Sequence, residues 1–277
     1  QSPSAFAGNH LLISIDKLRE EGLLTAGDTD NIPAFPEDKV LFPLVASFKE
    51  KLLRKAFTAF INTGENRPDY KAFLGENKYW LGDYALFMSL KGHFGGLAWN
   101  SWKKGIAFRE KEAVLYYRMY LHEEIAYHYF LQFVFLKQWT DLKSYANAQG
   151  IKIIGDLPIF IAHDSSDVWA HPALFALDER GNPLTAAGVP PDYFSETGQL
   201  WGNPHYDWTE MAKDDYQWWR KRLRHLLKLA DFVRVDHFRG FEAYWEIPAG
   251  ASTAVNGRWV KGPGEKFFLT LELYLGS

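Results

Sequence analysis

The segment Leu229–Gly240 constrains the fold of this chain most, because a short apolar strand in it runs directly into charged residues. Side chains alternate across a strand, so Arg234 and Asp236 are predicted to lie on one side of it, together with Phe232. Burying both charges among apolar groups would be costly. Two interpretations follow: an ion pair that ends the strand, or a nucleophilic carboxylate that a neighbouring guanidinium keeps ionised.

A second strand of the same kind comes earlier in the chain. Residues 151–160 are predicted to form a buried strand that ends at Asp156. Each strand follows a predicted helix, the second of which starts at Asp214 or Asp215. Consecutive strands joined by a crossover helix are parallel, and carboxylates at the carboxyl ends of α/β-barrel strands are typically catalytic. Asp156 and Asp236 are two such aspartates, and together they favour the catalytic interpretation.

Between the two strands, residues 162–213 are predicted to form one long loop, rich in glycine, proline and polar residues. Loops of this length inside compact domains are usually functional or disordered. Aromatic residues make up 17% of the chain, and aromatic planes in polar loops suit the apolar C–H faces of sugar rings. The loop is therefore predicted to be ordered and to bind carbohydrate. Its large aromatic residues are Trp169, Tyr193, Phe194, Trp201 and Trp208.

The rest of the chain is predicted to be largely helical. Residues 43–118 show helical spacing and no strand-like pattern, so about 38–118 are interpreted as a helical insertion in an α/β domain. The clearest helix is predicted over 123–148, and its apolar stripe is interpreted as core. The remaining predictions are a hairpin at 243–248 and 258–260 and a last helix over 265–275.

Composition argues against several classes of partner. The 277 residues suit one large α/β domain or two small ones. The net charge of −3 gives no reason to expect a nucleic-acid partner. No apolar run approaches the ~20 residues that a membrane span needs, and no signal peptide opens the chain. The sequence contains no cysteine, which fits a reducing compartment, so a cytoplasmic location is predicted.

Metal chemistry is not predicted. His163, Asp164, Asp167 and His171 are residues of metal-binding type, but their spacing matches no known site, so loop-capping hydrogen bonds are the preferred interpretation. No phosphate-binding glycine pattern is present either. We therefore predict neither a metal nor a cofactor.

Carboxylates beside aromatic residues are the chemistry that remains. Cleaving a glycosidic bond with retention needs a carboxylate nucleophile and a carboxylic acid opposite it. Asp236 suits the nucleophile, since Arg234 on the same side of the strand would keep it ionised. The acid needs a raised pKa, and the sequence singles out no residue for that role.

The sequence resembles the amylomaltase family, the 4-alpha-glucanotransferases also called disproportionating enzymes. The resemblance covers essentially the whole chain. Its most specific stretches are Gly188–Pro204, which reads GVPPDYFSETGQLWGNP, and Arg234–Gly240, which reads RVDHFRG. Further matches lie at residues 1–2, 4–9, 93–96, 152–160 and 167–172.

This resemblance implies an α/β fold, a (β/α)8 barrel of the α-amylase clan with helical insertions, only partly covered by this chain. It implies transfer of α-1,4-glucan segments between maltooligosaccharides by a retaining double displacement, with a glucose or glucan acceptor. By match to the family motif, Asp236 would be the nucleophile and Arg234 would hold it ionised and oriented.

The same resemblance implies the residues that bind the donor sugar. His237 would contact the sugar and Asp156 would bind its hydroxyls. Tyr193 and Phe194 would stack on glucosyl rings, and a loop that excludes water would favour transfer over hydrolysis. The residues that would shape this loop are Asp192, Glu196, Gln199, Trp201 and Asn203.

The chain departs from the family pattern at both ends. The family has an earlier segment with the first barrel strand and a tyrosine just before the position of Gln1. Its acid/base glutamate lies on a strand after the region that matches 264–275, and a stabilising aspartate lies further on. Glu265 and Glu272 are on the predicted last helix and are not assigned that role. The chain is therefore expected to be a partial barrel that lacks the first strand and the C-terminal strands, and to be nearly inactive alone.

Two other functions would use the same residues. A non-catalytic glucan-binding protein would keep the aromatic loop and lack the acid/base glutamate. A glucan hydrolase would differ only in its acceptor, which would be water.

Overall fold

The computed structural model describes residues 2–30, 32–63 and 67–276. Gln1, which belongs to the first matching stretch, lies outside the described residues. Helices occupy the first half of the chain. Ser14 starts the first of them by accepting a hydrogen bond from the backbone N–H of Lys17. The helices are α1 (Ile15–Glu20), α2 (Phe42–Thr63), α3 (Pro68–Asn77), α4 (Leu81–His93), α5 (Lys104–Ala107), α6 (Lys111–Tyr120) and α7 (His122–Ala148).

The prediction of helical structure over 43–118 is confirmed, since α2 to α6 fill this range and none of its described residues is in a strand. The long helix α7 anchors the segment that precedes α1. Gln132 accepts a hydrogen bond from the Gly8 N–H at 2.8 Å, and Gln138 accepts one from the Ser14 N–H at 2.7 Å. Both glutamines are buried, so each supplies a hydrogen bond that this non-helical segment would otherwise lack.

The second half of the chain alternates strands and helices. Short 3₁₀ turns also occur at His10–Leu12, Ala26–Thr29, Trp99–Ser101, Pro172–Leu174 and Phe238–Phe241. The regular elements are β1 (Ile154–Pro158), α8 (Ser166–Ala170), β2 (Thr185–Val189), β3 (Gln199–Pro204), α9 (Trp208–Ala212), α10 (Gln217–Leu229), β4 (Phe232–Asp236), β5 (Ala243–Pro248), β6 (Arg258–Lys261) and α11 (Glu265–Leu275).

Strands β1 and β4 form a parallel pair, as the crossover helix predicts. Helix α10 covers one face of this pair. A Cβ atom on Gly155 would lie 2.9 Å from the Ala230 Cβ and 3.1 Å from a Leu226 methyl carbon, so glycine permits the close approach. The opposite face carries Ile154 and Phe232, which are exposed.

A separate antiparallel sheet has the strand order β3–β2–β5–β6. The predicted hairpin is confirmed, because β5 pairs with β6. The prediction that 162–213 is one long loop is wrong, since this range contains α8, β2, β3 and α9. The prediction failed because β2 pairs with β5, which lies far along the sequence, and such long-range pairing leaves no local pattern in a short, glycine-containing strand.

Strand β1 also differs from its prediction, because it ends at Pro158 and not at Asp156. The core is rich in aromatic side chains, which pack edge-to-face, tilted or stacked against one another. The largest fully buried side chains are those of Trp99, Trp169 and Trp219. None of the helices formed by the described residues combines the length and apolar character needed to cross a membrane.

Stability should fall as the pH is lowered from 7 to 5. Burial lowers the pKa of His128 to about 3 and the pKa values of His205 and His225 to about 4. These folded-state pKa values lie below the unfolded-state value near 6.5. The free energy of unfolding is therefore highest above pH 6.5 and falls as the pH falls towards 4, because the unfolded chain binds protons that the folded protein does not. Each histidine should lower the free energy of unfolding by about 2 kcal/mol between pH 7 and pH 5.

Urea unfolding at pH 7, 6 and 5 measures this loss. His128→Phe retains an aromatic ring and should reduce the difference between pH 7 and pH 5 by about 2 kcal/mol. A pH-independent free energy of unfolding would contradict the buried, neutral state of these side chains.

Candidate active site

The parallel register brings Asp156 and Arg234 face to face. The two residues are direct cross-strand partners, and Arg234 Nε donates a hydrogen bond to Asp156 Oδ1 at 2.9 Å. Both side chains are at least half exposed, on the face of the strand pair that α10 leaves open. The hydrogen bond holds the pKa of Asp156 below its usual value, so the carboxylate is ionised at neutral pH.

Asp236 ends β4 on the same face and is paired in register with Pro158. The guanidinium of Arg234 interacts with both aspartates. Its pKa is raised first by the hydrogen bond to Asp156 and further by the charge of Asp236. Sequence spacing predicted Asp236 as the main partner of Arg234. The hydrogen bond is instead to Asp156, because a cross-strand neighbour lies closer than a residue two positions along an extended strand.

His237 follows Asp236 in a left-handed backbone conformation, with φ of 51°. This conformation turns the chain sharply at the end of β4. The His237 ring meets Trp201 edge-on, with ring centroids 5.0 Å apart. Its Nε2 is buried and has no hydrogen-bond partner among the described residues. Burial lowers the pKa of His237, so its ring is neutral at pH 7 and can still bond a ligand.

A cleft of about 470 Å³, here called the aspartate cleft, opens at the carboxyl ends of β1 and β4. The structure brings together five of the residues that the sequence singled out. They line the cleft with both acidic and aromatic groups, which suits a ligand with hydroxyls and apolar faces. The five are Asp156, Trp201, Asn203, Asp236 and His237.

Sequence reasoning missed several residues that line the aspartate cleft. The N-terminal segment from Ser2 to Ala7 forms one wall, together with Phe160 and Arg222. Arg222 is buried and donates to the carbonyl oxygens of Pro158 and Ile159, at 2.6 and 3.2 Å. These bonds fix the chain just beyond β1. The sequence did contain a signal for Arg222, because it is a cationic residue on the apolar face of a predicted helix. A buried arginine needs a hydrogen-bond partner.

The other predicted residues lie outside the lining of the cleft. Tyr193 and Phe194 are 99% and 94% exposed, at the tip of the connection between β2 and β3. Asp192 accepts hydrogen bonds from the N–H groups of Phe194 and Ser195, both at 2.9 Å, and so shapes the turn. Gln199 accepts one from the Trp201 indole at 3.1 Å. Glu196 is exposed.

Three of the four residues of metal-binding type make side-chain hydrogen bonds within the protein. Asp164 pairs with Lys91, Asp167 accepts from the Ala5 N–H and the Trp218 indole, and His163 bonds the Gly181 carbonyl. Within residues 2–30, 32–63 and 67–276, no three His, Cys, Asp or Glu side chains are placed to share a metal ion.

The fold and this cleft define a mixed α/β protein with ionisable groups at the carboxyl ends of two parallel strands. A sequence profile of the family described as 4-alpha-glucanotransferase, glycoside hydrolase family 77, matches residues 1–277. The chain belongs to this family.

Individual relatives agree with this assignment. The 4-alpha-glucanotransferase of Thermus thermophilus is 50% identical over 279 residues, which cover 100% of this chain and 55% of that protein. The 4-alpha-glucanotransferase of Aquifex aeolicus is 49% identical over 273 residues, 99% of this chain and 55% of the relative. The chain thus spans about 55% of the length of these curated relatives.

A solved structure is also similar. The amylomaltase from Streptococcus agalactiae, determined in complex with acarbose, superposes with a TM-score of 0.96 at 43% identity. The match covers 100% of this chain and 56% of that one.

Proposed function

We propose that this chain forms part of a 4-alpha-glucanotransferase that transfers α-1,4-glucan segments between maltooligosaccharides. The observation that carries the proposal is the aspartate cleft, which Asp156, Asp236, Trp201 and His237 line. Arg234 bonds Asp156 on the same open sheet face. Membership of the family and the acarbose complex of a similar amylomaltase support glucan as the ligand.

In this proposal Asp236 attacks the anomeric carbon of a donor glucan and forms a covalent glucosyl ester. The leaving sugar oxygen takes a proton from a carboxylic acid, and the bond to the leaving glucan breaks. The 4-hydroxyl of an acceptor glucan then attacks the ester, gives its proton back to that group and restores the Asp236 carboxylate. The resemblance predicts the acid/base glutamate C-terminal to the region that matches 264–275.

The neighbouring side chains have distinct roles in this scheme. Asp156, anionic through its bond to Arg234, accepts hydrogen bonds from donor hydroxyls. Arg234 keeps a positive charge beside Asp236. The His237 ring is neutral, and its Nε2 has no hydrogen-bond partner among the described residues. In this scheme it bonds a further sugar hydroxyl.

We also propose that the parallel pair β1–β4 belongs to a (β/α)8 barrel, with about 38–118 as a helical insertion. Among the described strands, β1 and β4 pair only with each other. Their open face exposes Ile154 and Phe232, and further barrel strands and side chains would cover such apolar groups. A cytoplasmic location, and the absence of a metal, a cofactor or a nucleic-acid partner, stay predictions from the sequence.

Labelled glucose tests the proposed reaction. A protein of the relatives' length that carries this sequence is incubated with maltotriose and radiolabelled glucose. We expect label in maltooligosaccharides, because glucose acts as the acceptor. Free glucose without labelled oligosaccharides would support a hydrolase, and binding without any product would support a non-catalytic glucan-binding protein.

The exposed loop aromatics should contribute to glucan affinity. Tyr193→Ala and Phe194→Ala each remove a nearly fully exposed ring that can stack on a sugar. We expect each substitution to weaken maltoheptaose binding by roughly five-fold, as one aromatic contact contributes about 1 kcal/mol. Isothermal titration calorimetry measures the change, and an unchanged Kd for both variants would remove the loop from glucan binding.

A further inference from the structure

Helix α6 presents two tyrosine rings to solvent, one turn apart. Tyr116 and Tyr120 are 58% and 59% exposed. Their ring planes lie within 7° of each other, with centroids 5.7 Å apart. Leu115 and Met119 extend the same exposed side of the helix. Exposed apolar patches of this kind mark interaction sites more often than single exposed residues do. We call Tyr116 and Tyr120 the tyrosine pair.

Neighbouring rings hold the tyrosine pair in place. The ring of His93, at the end of α4, meets Tyr120 edge-on at 5.7 Å and the buried Tyr117 at 5.5 Å. Tyr116 also meets Tyr117 edge-on, at 5.1 Å. Ordered tyrosines offer a large contact area at little further entropic cost on binding.

A second cleft, of about 610 Å³, begins at Tyr120 and runs between α2, α4 and α7. Its wall carries an ordered polar network. Arg54 donates to both carboxylate oxygens of Glu124, at 2.8 and 2.7 Å, and to Glu50 at 2.7 Å. Tyr127 donates to Glu50 at 3.0 Å, beneath the guanidinium of Arg54.

The charged side chains that line this second cleft are all paired. Arg54 bonds both Glu50 and Glu124, and Lys91 pairs with Asp164, which lies outside the lining. Burial lowers the pKa of His128, so this residue adds no positive charge at pH 7. A wall whose charged groups are already paired does not favour a free anion or cation. Its fixed donors and acceptors suit a neutral ligand with many hydroxyls.

The second cleft is separate from the aspartate cleft. The two share no lining residue among the described part of the chain. The N-terminal segment connects them, because Ala7 lines the aspartate cleft and His10 lines the second one. A ligand held at the second cleft would therefore lie on the same N-terminal segment as the proposed catalytic groups.

We propose that the tyrosine pair and the second cleft form an additional carbohydrate-binding surface, whose occupant is a segment of α-1,4-glucan. Sugar C–H faces lie on Tyr116 and Tyr120, and sugar hydroxyls bond the polar wall that starts beside them. The choice of α-1,4-glucan rests on the proposed function. The surface would retain a polymeric substrate near the aspartate cleft.

Calorimetric titration of the 277-residue chain with maltoheptaose tests this surface. The double variant Tyr116→Ala/Tyr120→Ala should lose one class of binding site or weaken its Kd by roughly ten-fold. The double variant Tyr116→Phe/Tyr120→Phe keeps both rings and should retain most of the affinity. Tyr145→Ala is the matched control, since Tyr145 is an exposed tyrosine on α7, away from both clefts, and should bind as the unmodified chain does.

Other outcomes would overturn the proposal. Unchanged binding in the alanine double variant, with weaker binding in Trp201→Ala, would confine glucan to the aspartate cleft and leave the proposed function intact. A lower sedimenting mass of the double variant with unchanged maltoheptaose binding would assign the tyrosine pair to contact with a second copy. No binding of maltoheptaose to the unmodified chain would also reject the surface, whereas the labelled-glucose assay tests the proposed reaction separately.

Discussion

Asp236→Asn should abolish glucan transfer while leaving glucan binding largely intact. The substitution keeps the size of the side chain at the end of β4 and removes the negative charge needed to attack the anomeric carbon. Loss of a catalytic nucleophile typically costs several powers of ten, so we expect a fall in kcat of at least about 10⁴-fold. Maltotriose disproportionation by a protein of the relatives' length, with and without the substitution, measures the effect.

The control for this substitution is Asp141→Asn, which makes the same chemical change on the exposed surface of α7. It should leave kcat within about two-fold, since surface substitutions away from a site are usually small in effect. Near-normal transfer by Asp236→Asn would remove Asp236 from the nucleophile role and would direct attention to Asp156.

Trp219→Ala should destabilise this chain by about 3–5 kcal/mol, the usual cost of truncating a large buried aromatic side chain. Trp219 on α10 is fully buried. Its ring packs against Phe241 and Phe267 at 5.4 and 5.5 Å, and the guanidinium of Arg222 lies 4.8 Å from it. The cavity left by the truncation would lie directly behind the segment that follows β4.

Urea unfolding measures this loss. The urea concentration at the unfolding midpoint should fall, while the dependence of the free energy of unfolding on urea concentration should not change. Trp259→Ala on β6 is the matched control, because Trp259 is 42% exposed and contacts mainly Trp245 and Arg239, so this truncation should cost less than that of Trp219. Similar losses in both variants would contradict the assignment of Trp219 to the core.

Local patterns in the sequence predicted helix α7 and the strand β4 that carries Asp236. The apolar stripe of α7 and the alternation in β4 were sufficient, since both depend on the spacing of neighbouring residues. The prediction that Arg234 and Asp236 share one side of their strand is confirmed by the register of β4, in which Arg234 is paired with Asp156 and Asp236 with Pro158.

Contacts between distant segments could not be predicted in the same way. The bond from Arg234 to Asp156 depends on the register of two strands that are separated in the sequence by three α-helices and two other strands. Strand β2 was missed for a related reason. A Cβ atom at Gly188 would lie 2.1 Å from the Gln199 carbonyl oxygen, so β2 needs glycine for its pairing, and glycine within a polar segment predicts a loop.

The most direct test of Asp236 as the nucleophile is to identify the residue that becomes covalently attached to sugar. α-Maltosyl fluoride is mixed with a protein of the relatives' length that carries this sequence, the reaction is quenched in acid, and the peptides are mapped by mass spectrometry. Fluoride departs without help from a general acid, so the result reports on the nucleophile. We expect a maltosyl group on the peptide that contains Asp236, at Asp236 itself. Attachment at Asp156 or another carboxylate would contradict this assignment. Turnover without a glycosyl-peptide would also contradict it, provided that a relative traps the intermediate efficiently under the same conditions.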